Sequence, residues 1–313
     1  MEKLLTPVLR TPKVNFFSRR YIYEKFYGFL KDPFDPDPDP RLIFLTENVR
    51  EVWNSILSGI DQRKGFLSLT GERGIGKTTL ISLIYSYLVI SGRRVKVVLL
   101  FYPPHQIEEI LQTLLRGLGL PPMEESKSSM LCRLDEDLAQ RSAREETVAL
   151  IIDEAQNLRR EALEEIRLLA NPTPKTPNPL QEIFVGDPPF EENLRSRGLS
   201  ALNQRIEVRC RLRPFTPEES LGYIEHRLNG AGGTTSRVFT PRAVSLIAQT
   251  SGGNPGTITR ICREALSAGY SKLKKRIDPA SVEEALVNLG MQKRRGWLVC
   301  LKNLPRKKEA EDN

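Results

Sequence analysis

The sequence predicts an α/β fold with a central parallel sheet, followed by a small all-α domain. Three observations carry this prediction. Residues 65–88, "GFLSLTGERGIGKTTLISLIYSYL", have the pattern of a buried strand, a glycine-rich loop and a helix with an apolar face. Residues 148–152 form a short apolar run bounded by charge, which is typical of a buried parallel strand. Helix-start signals then recur between residues 215 and 290.

Composition places the chain among soluble globular proteins. Its 313 residues leave room for about two domains, and 39% hydrophobic and 27% charged residues are ordinary for this class. No apolar run approaches the roughly 17–25 residues of a membrane helix, and the start lacks the apolar core of a signal peptide. Four scattered cysteines and two histidines disfavour a disulfide scaffold or a structural zinc site. We therefore expect a cytoplasmic location.

The net charge of +8 is concentrated at the two ends of the chain. Basic side chains cluster in residues 1–20 and again in residues 291–313. Such ends bind nucleic acid or an anionic membrane surface, or they are solvated tails that aid solubility. Composition leaves these alternatives open.

The segment "GERGIGKT" matches the pattern G-x-x-x-x-G-K-[ST] in its required setting between a strand and a helix. Its glycines allow a tight turn whose backbone N–H groups point at phosphate oxygens, and the helix N-terminus adds partial positive charge. Lys77 is expected to reach the β- and γ-phosphates of a nucleotide, and the Thr78 hydroxyl to ligate Mg²⁺. The predicted phosphate-binding residues are Gly71, Glu72, Arg73, Gly74, Ile75, Gly76, Lys77, Thr78 and Thr79.

A phosphate loop of this kind needs an acid to hold the magnesium ion, and Asp153 and Glu154 directly follow the strand at 148–152. Asp153 is expected to hold Mg²⁺ through its water shell, and Glu154 to polarise the attacking water. Two acids after a strand otherwise mark a plain helix start, but the phosphate loop earlier in the chain favours the metal site. A further strand is predicted at 180–185, and Asp187 lies at its end.

The second domain begins after an alternating stretch, residues 206–213, in which apolar residues alternate with charged ones. This pattern predicts a half-exposed edge strand, whose arginine face is either a nucleic-acid stripe or a solvated face. Thr216 and Pro217 then provide an N-cap and a first helical proline. Four helices are predicted over 215–290, with "SGGNPG" as the tight link between the second and third.

These parts in this order resemble the AAA+ ATPases, and more narrowly the ExeA/GspA-like ATPases of bacterial secretion and pilus biogenesis. The acid pair marks the additional-strand class, in which the strand at 180–185 lies between the P-loop strand and the Asp153 strand. Related AAA+ proteins assist DNA transposition. The resemblance runs from about Tyr23 to Gly290 and rests on "FYGFLKDPFDPDPDPRLIFL", "GFLSLTGERGIGKTTL", "LIIDEAQNL", "IRLLANPTPKTPNPLQEIFVGDPPF", "ALNQRI", "YIEHRLNGAG" and "SGGNPGTITRIC".

The resemblance implies a P-loop NTPase fold with a small all-α lid domain, and ATP and Mg²⁺ as cofactors. It divides the chain into a basic N-terminal extension (1–22), an N-terminal linker and helix (23–64), the AAA+ α/β domain (65–214), the lid (215–290) and a basic C-terminal tail (291–313).

An arginine in "ALNQRI", Arg205, matches the family's arginine finger. The resemblance implies that it reaches the γ-phosphate bound by a neighbouring subunit, so that hydrolysis depends on a homo-oligomer. The alternative for Arg205 is a surface salt bridge, and Arg195 and Arg197 are further candidates for the finger.

Two residues depart from the family pattern. Asp187 stands where the family usually has Gln, and a carboxylate near the γ-phosphate is repelled unless it faces a metal, water or a cation. Gly256 stands where the family usually has a lid arginine, and Arg260, one helical turn later, is the candidate substitute. We therefore predict ATP binding with hydrolysis that is slow or dependent on assembly.

Three functions fit these features. The first is an AAA+ ATPase that switches or drives assembly of a secretion or pilus-type complex. The second is an ATP-dependent DNA-binding regulator, and the third is a nucleotide-binding scaffold with little turnover. Longer family members continue into a membrane helix, whereas residues 297–301 here are a short apolar run that could lie on an anionic membrane surface or dock on a partner.

The proline-rich stretch 32–41, "DPFDPDPDPR", is either a loose linker or an ordered segment near the nucleotide site. Proline fixes φ, so an ordered path has a small entropic cost. The resemblance includes a similar pattern just before the core, and it favours the ordered alternative.

Overall fold

A five-stranded, all-parallel sheet forms the centre of the first domain in the computed structural model. The structure describes residues 22–35, 43–104, 106–121, 126–169 and 179–291. The strands are β1 (Phe66–Thr70), β2 (Val95–Leu100), β3 (Thr147–Ile152), β4 (Leu180–Gly186) and β5 (Ile206–Arg211). Their order across the sheet is β2-β3-β4-β1-β5.

This strand order confirms the predicted place of the strand at 180–185. β4 lies between β1, which leads into the phosphate loop, and β3, which ends before Asp153. Every residue of β1, β3 and β4 is buried. β5 pairs with β1 alone and alternates buried with exposed residues, so the prediction of a half-exposed edge strand is also confirmed.

Helices cover both faces of the sheet, as parallel strands require. On one face α2 (Glu47–Asp61) and α3 (Lys77–Ile90) pack against β1 residues such as Leu67 and Leu69. The other face, which includes Phe66, is covered by α4 (Ile107–Leu118), α5 (Lys127–Ala143), α6 (Arg160–Leu169), α7 (Pro188–Leu194) and α8 (Ser200–Arg205). Alternation along β1 therefore gives each face its own apolar core.

The second helical unit follows β5 and has its own apolar cluster. Side chains of Thr216, Thr240, Asn254 and Asp278 cap four of its helices, and each of these helices has proline in its first turn. The helices are α9 (Pro217–Asn229), α10 (Thr235–Val238), α11 (Pro241–Ser251), α12 (Pro255–Ser271) and α13 (Pro279–Asn288). The sequence predicted four of them; α10 is a single turn, too short for a periodic signal.

The described N-terminal residues pack on this lid rather than on the sheet. The short helix α1 (Ile22–Tyr27) and the residues after it bury Tyr23, Phe29 and Phe34 in the lid cluster. The backbone N–H of Leu30 donates to the carbonyl of Ala231 at 2.9 Å. Because α2 packs on the sheet, the predicted linker unit at 23–64 contributes to two different cores.

Several predicted features lie outside the described residues. These are the basic ends at 1–21 and 292–313 and the later part of the proline-rich stretch, residues 36–42. Within the described ranges, no helix has the length and apolar character needed to cross a membrane.

Candidate functional site

The phosphate loop connects β1 to α3 at the carboxyl edge of the sheet. Gly76 takes φ of 102° as the N-cap of α3, a left-handed conformation that L side chains rarely adopt. The helix begins at Lys77, so its first N–H groups and its positive dipole end face the loop. This is the local geometry that binds phosphate at a helix N-terminus.

The Lys77 ammonium is buried and donates to three oxygen atoms. Its Nζ lies 2.6 Å from Asp187 Oδ1, 2.9 Å from the Gly71 carbonyl and 3.2 Å from the Glu72 carbonyl. An ammonium has three donors, and these contacts match that number. The unusual carboxylate at 187 therefore faces a cation, which is one of the arrangements that the sequence allowed for it.

Thr78 and Asp153 bring a hydroxyl and a carboxylate together beside the loop. Thr78 Oγ1 donates to Asp153 Oδ2 at 2.8 Å, and the backbone N–H of Glu154 donates to Asp153 Oδ1 at 2.9 Å. Burial raises the pKa of Asp153, and the two hydrogen bonds oppose that rise. Hard oxygen donors next to a phosphate loop are the ligands that Mg²⁺ prefers, and a buried carboxylate gains from a nearby cation. These residues therefore fit a magnesium ion.

Gln156 links the two acids that the sequence placed near the terminal phosphate. Glu154 has φ of 55°, a left-handed backbone that is uncommon outside glycine. The Gln156 side-chain amide donates to Glu154 Oε2, and its carbonyl oxygen accepts from the Asp187 backbone N–H at 3.1 Å. Sequence analysis missed Gln156, although its place two residues after Glu154 in "DEAQNL" was the available signal.

A polar cavity of about 370 Å³ opens beside the loop. Arg73 and Thr79 line it from the loop and α3, Glu154 from the end of β3, and Arg260 from α12. Arg260 is thus in a position to face phosphates, as its proposed role requires. Asp35, the last described residue of the proline-rich stretch, also lines this cavity, so the described start of that stretch, residues 32–35, approaches the site.

A more apolar pocket adjoins the cavity. It is enclosed by side chains from before α2, from the loop, from the end of β5 and from the lid, and is lined by Ile43, Phe44, Val49, Ile75, Leu212, Phe215 and Tyr223, among others. Aromatic and aliphatic walls of this type suit a flat heterocyclic base. Ile75, Gly76 and Thr79, which also line the pocket, were predicted; the walls from outside the phosphate loop were not named, because they meet only in the folded chain.

The lid contacts the phosphate loop directly. Asn254 Nδ2 donates to the Arg73 carbonyl at 3.0 Å, and the Gly256 N–H donates to the Gly74 carbonyl at 3.0 Å. A Cβ at position 256 would lie 2.9 Å from the Gly74 carbonyl oxygen. The lid and the loop can therefore approach this closely only with glycine at position 256, where the family usually has arginine.

Arg205 lies at the opposite edge of the sheet from the phosphate loop. It precedes β5, whose six residues rise about 3.3 Å each. Its Nη1 donates to the Arg167 carbonyl at 3.2 Å, and its charge acts on the buried Glu182 of β4. It is too far from its own loop to contact a phosphate there. Arg195 and Arg197 are exposed near α7, and Arg195 lies 3.9 Å from Glu191.

The fold and this site agree with a comparison against known families. Residues 60–194 match the family described as "AAA domain". The chain is an AAA+ P-loop protein. General secretion pathway protein A of Aeromonas hydrophila is 31% identical over 253 residues, which are 80% of this chain and 45% of that protein. The resemblance to ExeA/GspA-like proteins is confirmed, and the chain spans less than half the length of this curated relative.

Solved structures show the same AAA+ fold. Cdc6p from Pyrobaculum aerophilum is 17% identical, with a TM-score of 0.66 over 87% of this chain and 74% of that one. The Drosophila origin recognition complex bound to DNA includes a chain with 18% identity and a TM-score of 0.65, covering 96% of this chain and 74% of that one. At these identities the likeness establishes architecture alone, and it confirms the predicted fold class.

Proposed function

We propose that this AAA+ chain binds ATP with Mg²⁺ and hydrolyses it to switch or drive assembly of a bacterial secretion or pilus-type complex. The observation that carries the proposal is the convergence at one sheet edge of Lys77, the Thr78–Asp153 pair at 2.8 Å and Glu154. Each group has the chemistry that phosphoryl transfer needs. Lys77, Thr78 and Glu154 line one cavity with the lid arginine, and Asp153 is hydrogen-bonded to Thr78.

The residues divide the work as follows. Lys77 exchanges its Asp187 contact for terminal phosphate oxygens and balances their charge. Thr78 and Asp153 would hold a magnesium ion, which would supply positive charge beside the phosphates. Glu154, held by Gln156, orients the attacking water and takes up its proton. The apolar pocket receives the adenine base.

Hydrolysis depends on a second subunit in this proposal. The only candidate finger that the family pattern favours, Arg205, sits roughly 20 Å from the loop of its own chain by strand rise. A group at that place acts on the nucleotide of a neighbour in a homo-oligomer. The isolated chain then binds ATP but turns it over slowly.

The relative's name supports the secretion part of this proposal, since General secretion pathway protein A matches 80% of this chain. A pilus machine as the alternative partner, and a place at the inner face of the cytoplasmic membrane, are what the family resemblance implies. Because the chain covers 45% of that relative, the membrane and partner contacts belong to this proposal and not to the match.

One preparation tests the proposal. ATP turnover and molar mass by light scattering are measured on wild type and on Glu154→Gln, across a range of protein concentrations. We expect ATP-dependent assembly, turnover per subunit that rises with assembly, and loss of turnover in the variant with binding retained. Rapid turnover by a species that stays monomeric, abolished by Glu154→Gln, would contradict the dependence on assembly. Absence of ATP binding would refute the function itself.

A DNA-binding regulator remains the second candidate, because the edge strand exposes Arg209, Arg211 and, just after it, Arg213. Exposed arginines along one strand suit a phosphate backbone. Duplex DNA added to the same turnover assay discriminates the two functions: a salt-sensitive shift of DNA that ATP stimulates favours this candidate. A solvated arginine face gives no shift.

A further inference from the structure

Arg227 of α9 lies where three parts of the molecule meet. It lines both the apolar pocket and the polar cavity, is the one charged residue among the five that line both, and has a half-buried side chain. A nucleotide with its base in the first space and its terminal phosphates in the second has its ribose and first phosphate between them. Arg227 is the cation at that junction.

The same guanidinium holds the N-terminal segment, defined here as residues 22–35, against the lid. Its Nε donates to the Pro33 carbonyl and its Nη2 to the Asp35 carbonyl, both at 2.7 Å. Its Nη1 donates to Tyr223 Oη at 3.0 Å, and the guanidinium lies over the Tyr223 ring. Among the described residues, these contacts use three of the five N–H groups of an arginine, which leaves two for a ligand.

We propose that Arg227 contacts the bound nucleotide and thereby couples nucleotide occupancy to docking of the N-terminal segment on the lid. This inference rests on the proposed function and adds to it a residue and a conformational output. Arginine suits the place because its planar fork binds phosphate and carbonyl oxygens in fixed directions. Lysine in its place would keep the charge but lose that geometry.

The coupling has a simple physical basis. A nucleotide that accepts hydrogen bonds from Arg227 fixes the side chain in the position that also serves Pro33 and Asp35. The segment then docks more firmly, and by linkage a docked segment strengthens nucleotide binding by the same factor. Asp35, which lines the cavity, places the end of the segment beside the phosphates.

Hydrogen exchange of the full chain, read on peptides covering 22–35 with and without Mg²⁺ and a non-hydrolysable ATP analogue, tests the coupling. In wild type we expect the analogue to slow exchange of this segment, including the Leu30 amide bonded to Ala231. In Arg227→Lys and Arg227→Gln we expect faster exchange without nucleotide, no further slowing with it, and an affinity about tenfold lower, as expected for losing a charged hydrogen bond.

The matched control is Arg260→Gln, since Arg260 lines the same cavity and, among the described residues, donates no hydrogen bond to the segment. It should weaken nucleotide binding while leaving exchange of the segment without nucleotide unchanged. Tyr23→Phe is a milder variant that perturbs the N-terminal segment and leaves Arg227 in place. It removes the 2.8 Å hydrogen bond from Tyr23 Oη to Asp32 Oδ1 within the segment. Reciprocity predicts weaker nucleotide binding in this variant, although it lies outside the cavity.

The possible outcomes test the proposed function and the role of Arg227 separately. A wild-type chain that binds no nucleotide overturns the proposed function. A chain that binds the analogue while Arg227→Gln binds it equally well overturns the contact at Arg227 alone. The coupling alone is overturned if Arg227→Gln binds the analogue more weakly but the analogue does not change hydrogen exchange of the segment in wild type.

Discussion

A buried carboxyl in the middle of the sheet makes stability depend on pH in a testable way. Glu182 of β4 is fully buried, and neither of its carboxyl oxygens has a hydrogen-bond partner among the described residues. Burial raises the pKa of Glu182 well above its usual value, and the positive charge of Arg205 opposes that rise. The folded state therefore holds this proton more tightly than the unfolded chain does.

The sign of the effect follows from linkage. At pH values below the unfolded pKa of about 4.3 both states are protonated, and Glu182 contributes no pH dependence. As pH rises from there to the raised folded pKa, the free energy of unfolding falls by about 1.4 kcal/mol per pH unit for this one group. Glu182→Gln is neutral throughout, so its stability relative to wild type should climb with that slope.

Urea unfolding of wild type and Glu182→Gln at intervals from pH 4.5 to 7.5 measures the difference, with the m-value as a check that both unfold alike. Glu207→Gln on the edge strand β5, which β1 separates from β4, is the control for removing a carboxyl group, because Glu207 is exposed, and its difference from wild type should lack that slope. The Arg205→Gln variant should be less stable than wild type at neutral pH. Adding Glu182→Gln to that variant should restore its stability. Parallel pH curves for wild type and Glu182→Gln would refute the reasoning.

Three further predictions concern the nucleotide site. Asp187→Asn frees Lys77 from a competing carboxylate 2.6 Å away, so ATP affinity by fluorescent-analogue titration should rise, and an unchanged affinity would contradict the competition. Gly256→Ala places a Cβ 2.9 Å from the Gly74 carbonyl, so the lid must separate from the loop, and calorimetry should record weaker nucleotide binding by about 1–3 kcal/mol. Arg205→Ala and Glu154→Gln should each lose turnover, Arg205→Ala by about 10³-fold. A mixture of the two variants should regain part of the turnover, because each supplies the group that the other lacks. No recovery on mixing would argue against a finger that acts between subunits.

Local chemistry made the central part of the site predictable from sequence. Lys77, Thr78, Asp153 and Glu154 follow strands at fixed short distances along the chain, and parallel strands bring their carboxyl ends to one edge. Short-range patterns sufficed for these four residues, because backbone geometry determines where their side chains lie. The place of β4 between β1 and β3 was predicted from the family resemblance instead, since spacing along the chain does not determine strand order.

Long-range contacts account for what the sequence did not reveal. Arg227 meets the carbonyl of Pro33 across 194 positions of the chain, and the apolar pocket joins Phe44 to Tyr223. No periodicity or spacing encodes such a meeting, since it depends on how the lid rests on the domain. Glu182 is a different case: a charged residue inside a predicted strand was visible, but its complete burial could be known only once both faces of the sheet were covered.

The two departures from the family pattern have a common physical effect on the phosphate loop. Asp187 takes one donor of Lys77, and Gly256 brings a lid N–H to the Gly74 carbonyl at 3.0 Å. Both contacts are made by the protein's own atoms. A triphosphate must therefore displace the Asp187 carboxylate from Lys77, and it must fit against a loop that already contacts the lid. When a phosphate takes over Lys77, the Asp187 carboxylate is left near like charge. We expect this repulsion to oppose the hydrolysis-competent arrangement more than nucleotide binding, and to slow turnover independently of the distance to Arg205.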